Sequence, residues 1–229
     1  MYKEWIDTLI ISPLFYNVKR EKINTMLNCL KPKVERYRKQ ETVVIPGQSF
    51  QGIGIVASGK IALTRETSAG NRIILDIIDK GAIFGEMIAF SDSKRWTMSI
   101  IAQEDSCLLF LPPETLVNEC DNICKCRNLL ISNLLNILSN QALSLSKKID
   151  YLSEKSLRSK LSIYLLDIYQ QAGDFALVIP MKRYELADYL NVTRPALSRE
   201  MSLMRSEGII DFDGSSIIIK DMAILKKYC

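Results

Sequence analysis

Six residues within one ten-residue stretch, Thr193, Arg194, Pro195, Ser198, Arg199 and Ser202, would share a surface if the stretch were helical. Two guanidiniums five residues apart, flanked by hydroxyls, suit recognition. An arginine fork pairs with O6 and N7 of guanine, while Thr and Ser hydroxyls reach phosphates or base edges. A second set, Gly85, Glu86, Met87, Arg95, Trp96 and Thr97, has the makings of a small-molecule pocket. Glycine lets backbone amides approach a ligand, and a carboxylate accepts hydrogen bonds from sugar hydroxyls. A third set, Cys120, Cys124 and Cys126, could act as a thiol switch but has no familiar metal spacing. There is no histidine in the chain. That removes a His-ligated haem, a His-containing zinc site and a Ser-His-Asp triad, and with them the commonest general base. We therefore expect no catalytic residues, no metal and no resident cofactor.

The reading residues need a helix to hold them. Leu186, Ala187 and Leu190 recur at helical spacing, Asn191-Val192 breaks the run, and Leu197, Met201 and Met204 recur again. This is a helix-turn-helix pattern. Thr193 is placed to cap the second helix, Pro195 falls in its first turn, and Gly208 stands where a left-handed cap is expected. Two β-branched runs, Ile209-Ile210 and Ile217-Ile218-Ile219, flank an Asp213-Gly214 turn and read as a hairpin. A helix-turn-helix followed by a hairpin is a winged helix, whose recognition helix enters the major groove of DNA by its N-terminal end.

The rest of the chain sets limits. Its 229 residues and 48% hydrophobic content fit one large or two small globular domains. The net charge of +4 is mild, and Lys182 to Cys229 holds eight basic against seven acidic residues, so placement of Arg194, Arg199 and Arg205 matters more than the total. No run approaches a membrane span and the N-terminus lacks a cleavage signal, so we expect a cytoplasmic protein with reduced thiols and no membrane partner.

Tyr2 to Leu30 reads as a helical lead-in. The stretch from Lys19 to Lys39, eight basic residues to two acidic, reads as a solvated face. From Glu41 to Leu111 come short β-rich runs (Thr42 to Ile45, Ile53 to Ala57, Ile61 to Glu66, Arg72 to Ile78, Thr97 to Ala102 and Cys107 to Leu111) separated by glycine turns. They predict a small antiparallel barrel or sandwich. A long helix without Gly or Pro follows from about Lys125 to Leu152, with Ile131, Leu134, Leu138, Gln141, Leu145, Ile149 and Leu152 in steps of three and four. That seam predicts a twofold homodimer. Ser153 is expected to cap the next helix, which ends near Gly173.

In this order the chain resembles the bacterial cyclic-AMP receptor and fumarate-nitrate-reduction regulator family over essentially its whole length. The matching residues are Gly59 of a Ser-Gly-Lys turn, Gly81-Ala82-Ile83-Phe84-Gly85-Glu86, Leu152-Ser153-Glu154-Lys155-Ser156, and Thr193-Arg194-Pro195-Ala196-Leu197-Ser198-Arg199. The resemblance implies an α+β protein with a jelly-roll β-barrel like that of cyclic-nucleotide-binding domains at residues 1–124. A dimerisation helix at 125–152 and a winged helix at 153–229 would complete it. It implies a homodimeric transcription regulator on palindromic double-stranded DNA, with RNA polymerase as a further partner and a small-molecule effector in the barrel.

In cyclic-nucleotide-binding members an Arg before a Ser or Thr grips the phosphate; here Trp96 precedes Thr97 and Arg95 stands one place early. In a strand a one-residue slip turns a side chain to the opposite face, which argues against cyclic AMP as effector. The N-terminal cysteine cluster of iron-sulfur members and the histidine of haem-based carbon-monoxide sensors are both missing. Pro195 stands where many relatives carry a base-reading Glu, so their preferred half-site does not carry over to this chain. Two rivals are a metabolite- or nucleotide-binding module whose helix-turn-helix contacts protein, and a thiol-based redox-sensing regulator.

Overall fold

A computed structural model describes residues 2–66, 72–117 and 124–229. Cys120 of the cysteine cluster lies outside these residues, as does the Ala69-Gly70-Asn71 turn. The chain forms two compact units, Met1–Asn140 and Gln141–Cys229.

The first unit opens with short helices α1 (Ile6–Ile11) and α2 (Arg20–Leu30), then strands β1 (Lys33–Tyr37), β2 (Thr42–Val44), β3 (Ile53–Ser58), β4 (Ile61–Glu66), β5 (Arg72–Ile78) and β6 (Ile83–Phe84). Helix α3 (Glu86–Ala89), strands β7 (Ser99–Ala102) and β8 (Ser106–Leu111), and helix α4 (Pro113–Val117) follow. The strands make two antiparallel sheets, ordered β1-β8-β3-β6 and β2-β7-β4-β5. Val43, Val44, Val56, Ile61, Phe84, Ile100, Leu108 and Phe110, drawn from both sheets, fill one shared interior. This is the sandwich the β-rich runs predict.

Strands β3 and β8 are apolar almost throughout, and the packing explains why. Val56, Leu108 and Phe110 point into the sandwich, whereas Ile53, Ile55, Ala57, Cys107, Leu109 and Leu111 pack under Leu9, Phe15, Met26 and Leu27 of the N-terminal segments. A strand covered on both faces loses its polar alternation. Two strands of this unit go beyond the sequence reading. Lys33–Tyr37, inside the stretch read as a solvated basic face, pairs with β8, and the two-residue β6 pairs with β3.

Helix α5 runs from Cys124 to Ser153. Its N-terminal half belongs to the first unit. Leu130 and Leu134 are buried in that core with Leu138 packed against it, and Asn133 Nδ2 donates to the Leu14 and Tyr16 carbonyls at 2.9 Å each. Leu134, expected on an outward seam, is therefore a core residue of its own chain. Further along, Leu145, Ile149 and Leu152 are exposed.

The second unit continues with α6 (Leu157–Ala172), β9 (Ala176–Val178), α7 (Arg183–Tyr189), α8 (Arg194–Ser206), β10 (Ile210–Asp213), β11 (Ser216–Ile219) and α9 (Met222–Lys226). The cap of α6 is Ser156, not Ser153. Ser153 is still helical, whereas Ser156 has extended dihedrals and its side chain accepts from the Ser159 amide. Strands β10 and β11 form the expected hairpin, and β9 adds a third strand in the order β10-β11-β9. Leu161, Leu165, Leu177, Leu186, Leu190, Leu197, Met201, Met204, Ile210 and Ile217 share one core.

Candidate nucleic-acid interface and effector cassette

Helix α7 ends in a left-handed residue. Asn191 has φ 53°, its amide bonds the Asp188 carbonyl at 3.1 Å, and the Val192 amide bonds that of Ala187 at 2.9 Å. These two bonds make a Schellman closure, with Asn supplying the conformation that bulkier side chains resist. The chain then turns directly into α8. Thr193 is extended and its side chain accepts from the Ala196 amide at 3.4 Å, while Pro195 sits in the first turn. The far end closes the same way, with Gly208 at φ 74° and the Ile209 amide on the Met204 carbonyl at 2.9 Å. Both ends of α8 are thus fixed by local chemistry.

Burial of Leu197, Met201 and Met204 fixes its rotation. Arg194, Pro195, Ser198, Arg199 and Ser202 are all left exposed. Among the described residues Arg194 and Arg199 carry no hydrogen bond or ion pair, so their forks are free for a ligand. Arg205 is different. Its guanidinium bridges Asp211 at 2.7 Å and lies 4.9 Å from the Phe212 ring centre. Arg183 covers the same ring at 5.1 Å and donates to the Gly214 carbonyl at 3.2 Å. Burial lowers the pKa of Arg183. The two arginines tie α7 and α8 to the hairpin through Phe212, an arrangement with no local sequence signal.

A second anchor holds α8 from behind. Arg158 donates through Nε to Glu200 at 2.5 Å and through both Nη atoms to Glu207 at 2.6 and 2.9 Å. Hydrogen bonding to Glu207, and next to Glu200, raises its pKa above the ordinary arginine value.

In the first unit, Gly85 joins β6 to α3 at φ 80°, and a Cβ there would stand 2.6 Å from the Trp96 ring. Only glycine meets both conditions at that turn. Trp96 is 4% exposed and packs on Phe50 and Phe84, with ring centres 5.4 and 6.1 Å away. Its Nε1 has no hydrogen-bond partner among the described residues. Glu86, next to Gly85 in sequence, is buried as well. The neighbours of Trp96 face the other way. Arg95 is exposed and donates to the Gly47 carbonyl at 2.8 Å, and Thr97 and Met87 are exposed too. Of the six cassette residues, Gly85, Glu86 and Trp96 face or border the interior. Thr97, expected to reach a ligand together with Glu86, lies outside because it is one residue from inward-facing Trp96.

Among the described residues no group of three or more Cys, Asp or Glu could hold a metal ion, and no helix is long and apolar enough to cross a membrane.

Comparison with known proteins fits both units. The cyclic nucleotide-binding domain profile matches residues 34–122, and the Crp-like helix-turn-helix domain profile matches residues 159–228. The cyclic AMP receptor protein of Thermus thermophilus is 25% identical over 218 residues, 94% of this chain and 96% of that protein. The "Probable transcriptional regulator flp" of Lacticaseibacillus casei is 25% identical over 91% of this chain and 92% of its own. The crystal structure of the T. thermophilus catabolite activator protein superposes with a TM-score of 0.55 at 25% identity, covering 95% of this chain and 98% of that one. A sandwich with this glycine cassette, followed by a doubly capped recognition helix and a wing, places the chain in the cyclic-AMP receptor and fumarate-nitrate-reduction regulator family of DNA-binding transcription regulators.

Proposed function

We propose that the chain acts as a homodimer on a palindromic operator, with Arg194 and Arg199 reading bases and Thr193, Ser198 and Ser202 positioning the helix through phosphates or base edges. Pro195 would hold the first turn against the groove. The observation that carries this reading is the pair of exposed, unpartnered guanidiniums on a helix whose rotation is fixed by its buried face. Support for the dimer comes from Leu145, Ile149 and Leu152, three exposed apolar side chains in steps of four and three. An apolar stripe of that kind is ordinarily covered. Gln141 would be a polar register point and Ile131 and Leu138 flanking contacts.

In this reading the protein is not an enzyme, works in the cytoplasm and engages RNA polymerase from its operator. Its effector is a small molecule other than cyclic AMP. Arg95 is outward and Trp96 inward, so the cassette offers an aromatic face and an unmatched indole N–H where a phosphate would need a cation. Sites selected from random DNA, then footprinted, test the assignment. Protected half-sites centred about one helical turn, ~34 Å, apart are expected, with two chains per duplex by sedimentation. A monomer protecting a single half-site would overturn it.

A further inference from the structure

Leu203 is 51% exposed, while Leu197, Met201 and Met204 of the same helix are buried. It is the one large apolar side chain that α8 turns to solvent. It lies one turn beyond Arg199 and lines a shallow hollow with Ser198, Arg199 and Ser202. Its side chain takes no part in the core of the second unit. The hollow is less polar than its residue names suggest, because the Ser202 hydroxyl donates to the Ser198 carbonyl at 3.0 Å. A solvent-facing leucine beside a free guanidinium presents methyl groups next to a guanine-reading fork.

Within the major groove one group answers to that chemistry, the C5-methyl of thymine, since every other base edge there shows donors and acceptors. We infer that Leu203 is a specificity-determining residue that packs on a thymine methyl within one or two base pairs of the guanine read by Arg199. The inference rests on α8 being the DNA-reading helix.

The test replaces the thymines of a selected operator one at a time with deoxyuridine, which removes the C5-methyl and nothing else. The wild-type protein should lose affinity roughly fourfold at one thymine per half-site, about one buried methyl's worth. Leu203→Ala should bind the thymine and deoxyuridine sites equally, with its melting curve unchanged because the side chain is exposed. Wild-type binding indifferent to every replacement, selected half-sites without a thymine near the guanine, or a Leu203→Ala protein as sensitive as wild type would each overturn the assignment. Failure to select any sequence would overturn the DNA-reading helix itself, a result distinct from these three.

Discussion

The Lys160 ammonium donates a hydrogen bond to the Leu190 carbonyl at 3.2 Å in the interior of the second unit. Leu190 is the C-cap residue that follows α7 and precedes the left-handed Asn191, so one buried cation from α6 holds the turn of the helix-turn-helix. Lys160→Met would leave that carbonyl without a donor. A loss of about 1–3 kcal/mol is expected, the usual cost of an unsatisfied buried acceptor. Urea unfolding followed by circular dichroism measures it, and an unchanged midpoint would show that the bond contributes nothing.

Arg158 links α6 to Glu200 inside α8 and to Glu207 at its C-terminal cap. The guanidinium is mostly covered but Glu207 is not, so solvent screening limits the pair. A double-mutant cycle of Arg158→Ala with Glu207→Gln should give a coupling of about 1 kcal/mol, favoured by the two-pronged geometry. Arg158→Lys should not restore it, because an ammonium cannot span both carboxylate oxygens while also reaching Glu200. A lysine variant as stable as wild type would contradict this.

Arg205 is held by Asp211 and stacked on Phe212, so its role is to set the wing rather than to read bases. Arg205→Ala should weaken specific and random DNA by similar factors and leave the preferred sequence unchanged. Selection from random DNA with the variant checks it, and a shifted base preference would make Arg205 a reader.

Trp96 fills the cassette interior against Gly85, Phe50 and Phe84. Trp96→Ala should destabilise the first unit by about 3–5 kcal/mol, the range for removing a large buried aromatic. Added indole should recover part of the lost melting temperature in the variant and none in wild type. Cyclic AMP should bind wild-type protein no more tightly than roughly millimolar by calorimetry, since an unpaired anion costs several kcal/mol. Low-micromolar binding abolished by Arg95→Ala would show that Arg95 swings inward when the ligand is present.

The winged helix was legible because its signals are local. Thr193, Pro195, Asn191 and Gly208 act within a turn of where they stand, and Leu197, Met201 and Met204 set the rotation by spacing alone. The outward Arg95 and inward Trp96 follow from the two-residue period of extended chain. Strand β1 was not legible, since Lys33-Val34-Glu35-Arg36-Tyr37 has the polarity of a solvated segment and becomes a strand only by pairing with β8. Leu134 illustrates a different limit. Heptad spacing says that a side chain will be covered but not by what, and here the core of its own chain covers it. The capture of Arg205 depends on Asp211 and Phe212 across a helix-strand junction, which no spacing rule reports.

Sequence-specific DNA binding through α8 is tested most directly by the affinity ratio between a selected operator and shuffled duplex, measured by fluorescence anisotropy at one fixed salt concentration for wild type and Arg199→Ala. Wild type should prefer the operator by a factor of about 10³ or more. Arg199→Ala should lower that ratio by roughly 5- to 150-fold for each half-site, about 1–3 kcal/mol per lost arginine-guanine pair, with little change on shuffled DNA. Equal affinity of wild type for both duplexes, or an equal loss on both when Arg199 is removed, would contradict base reading by this helix.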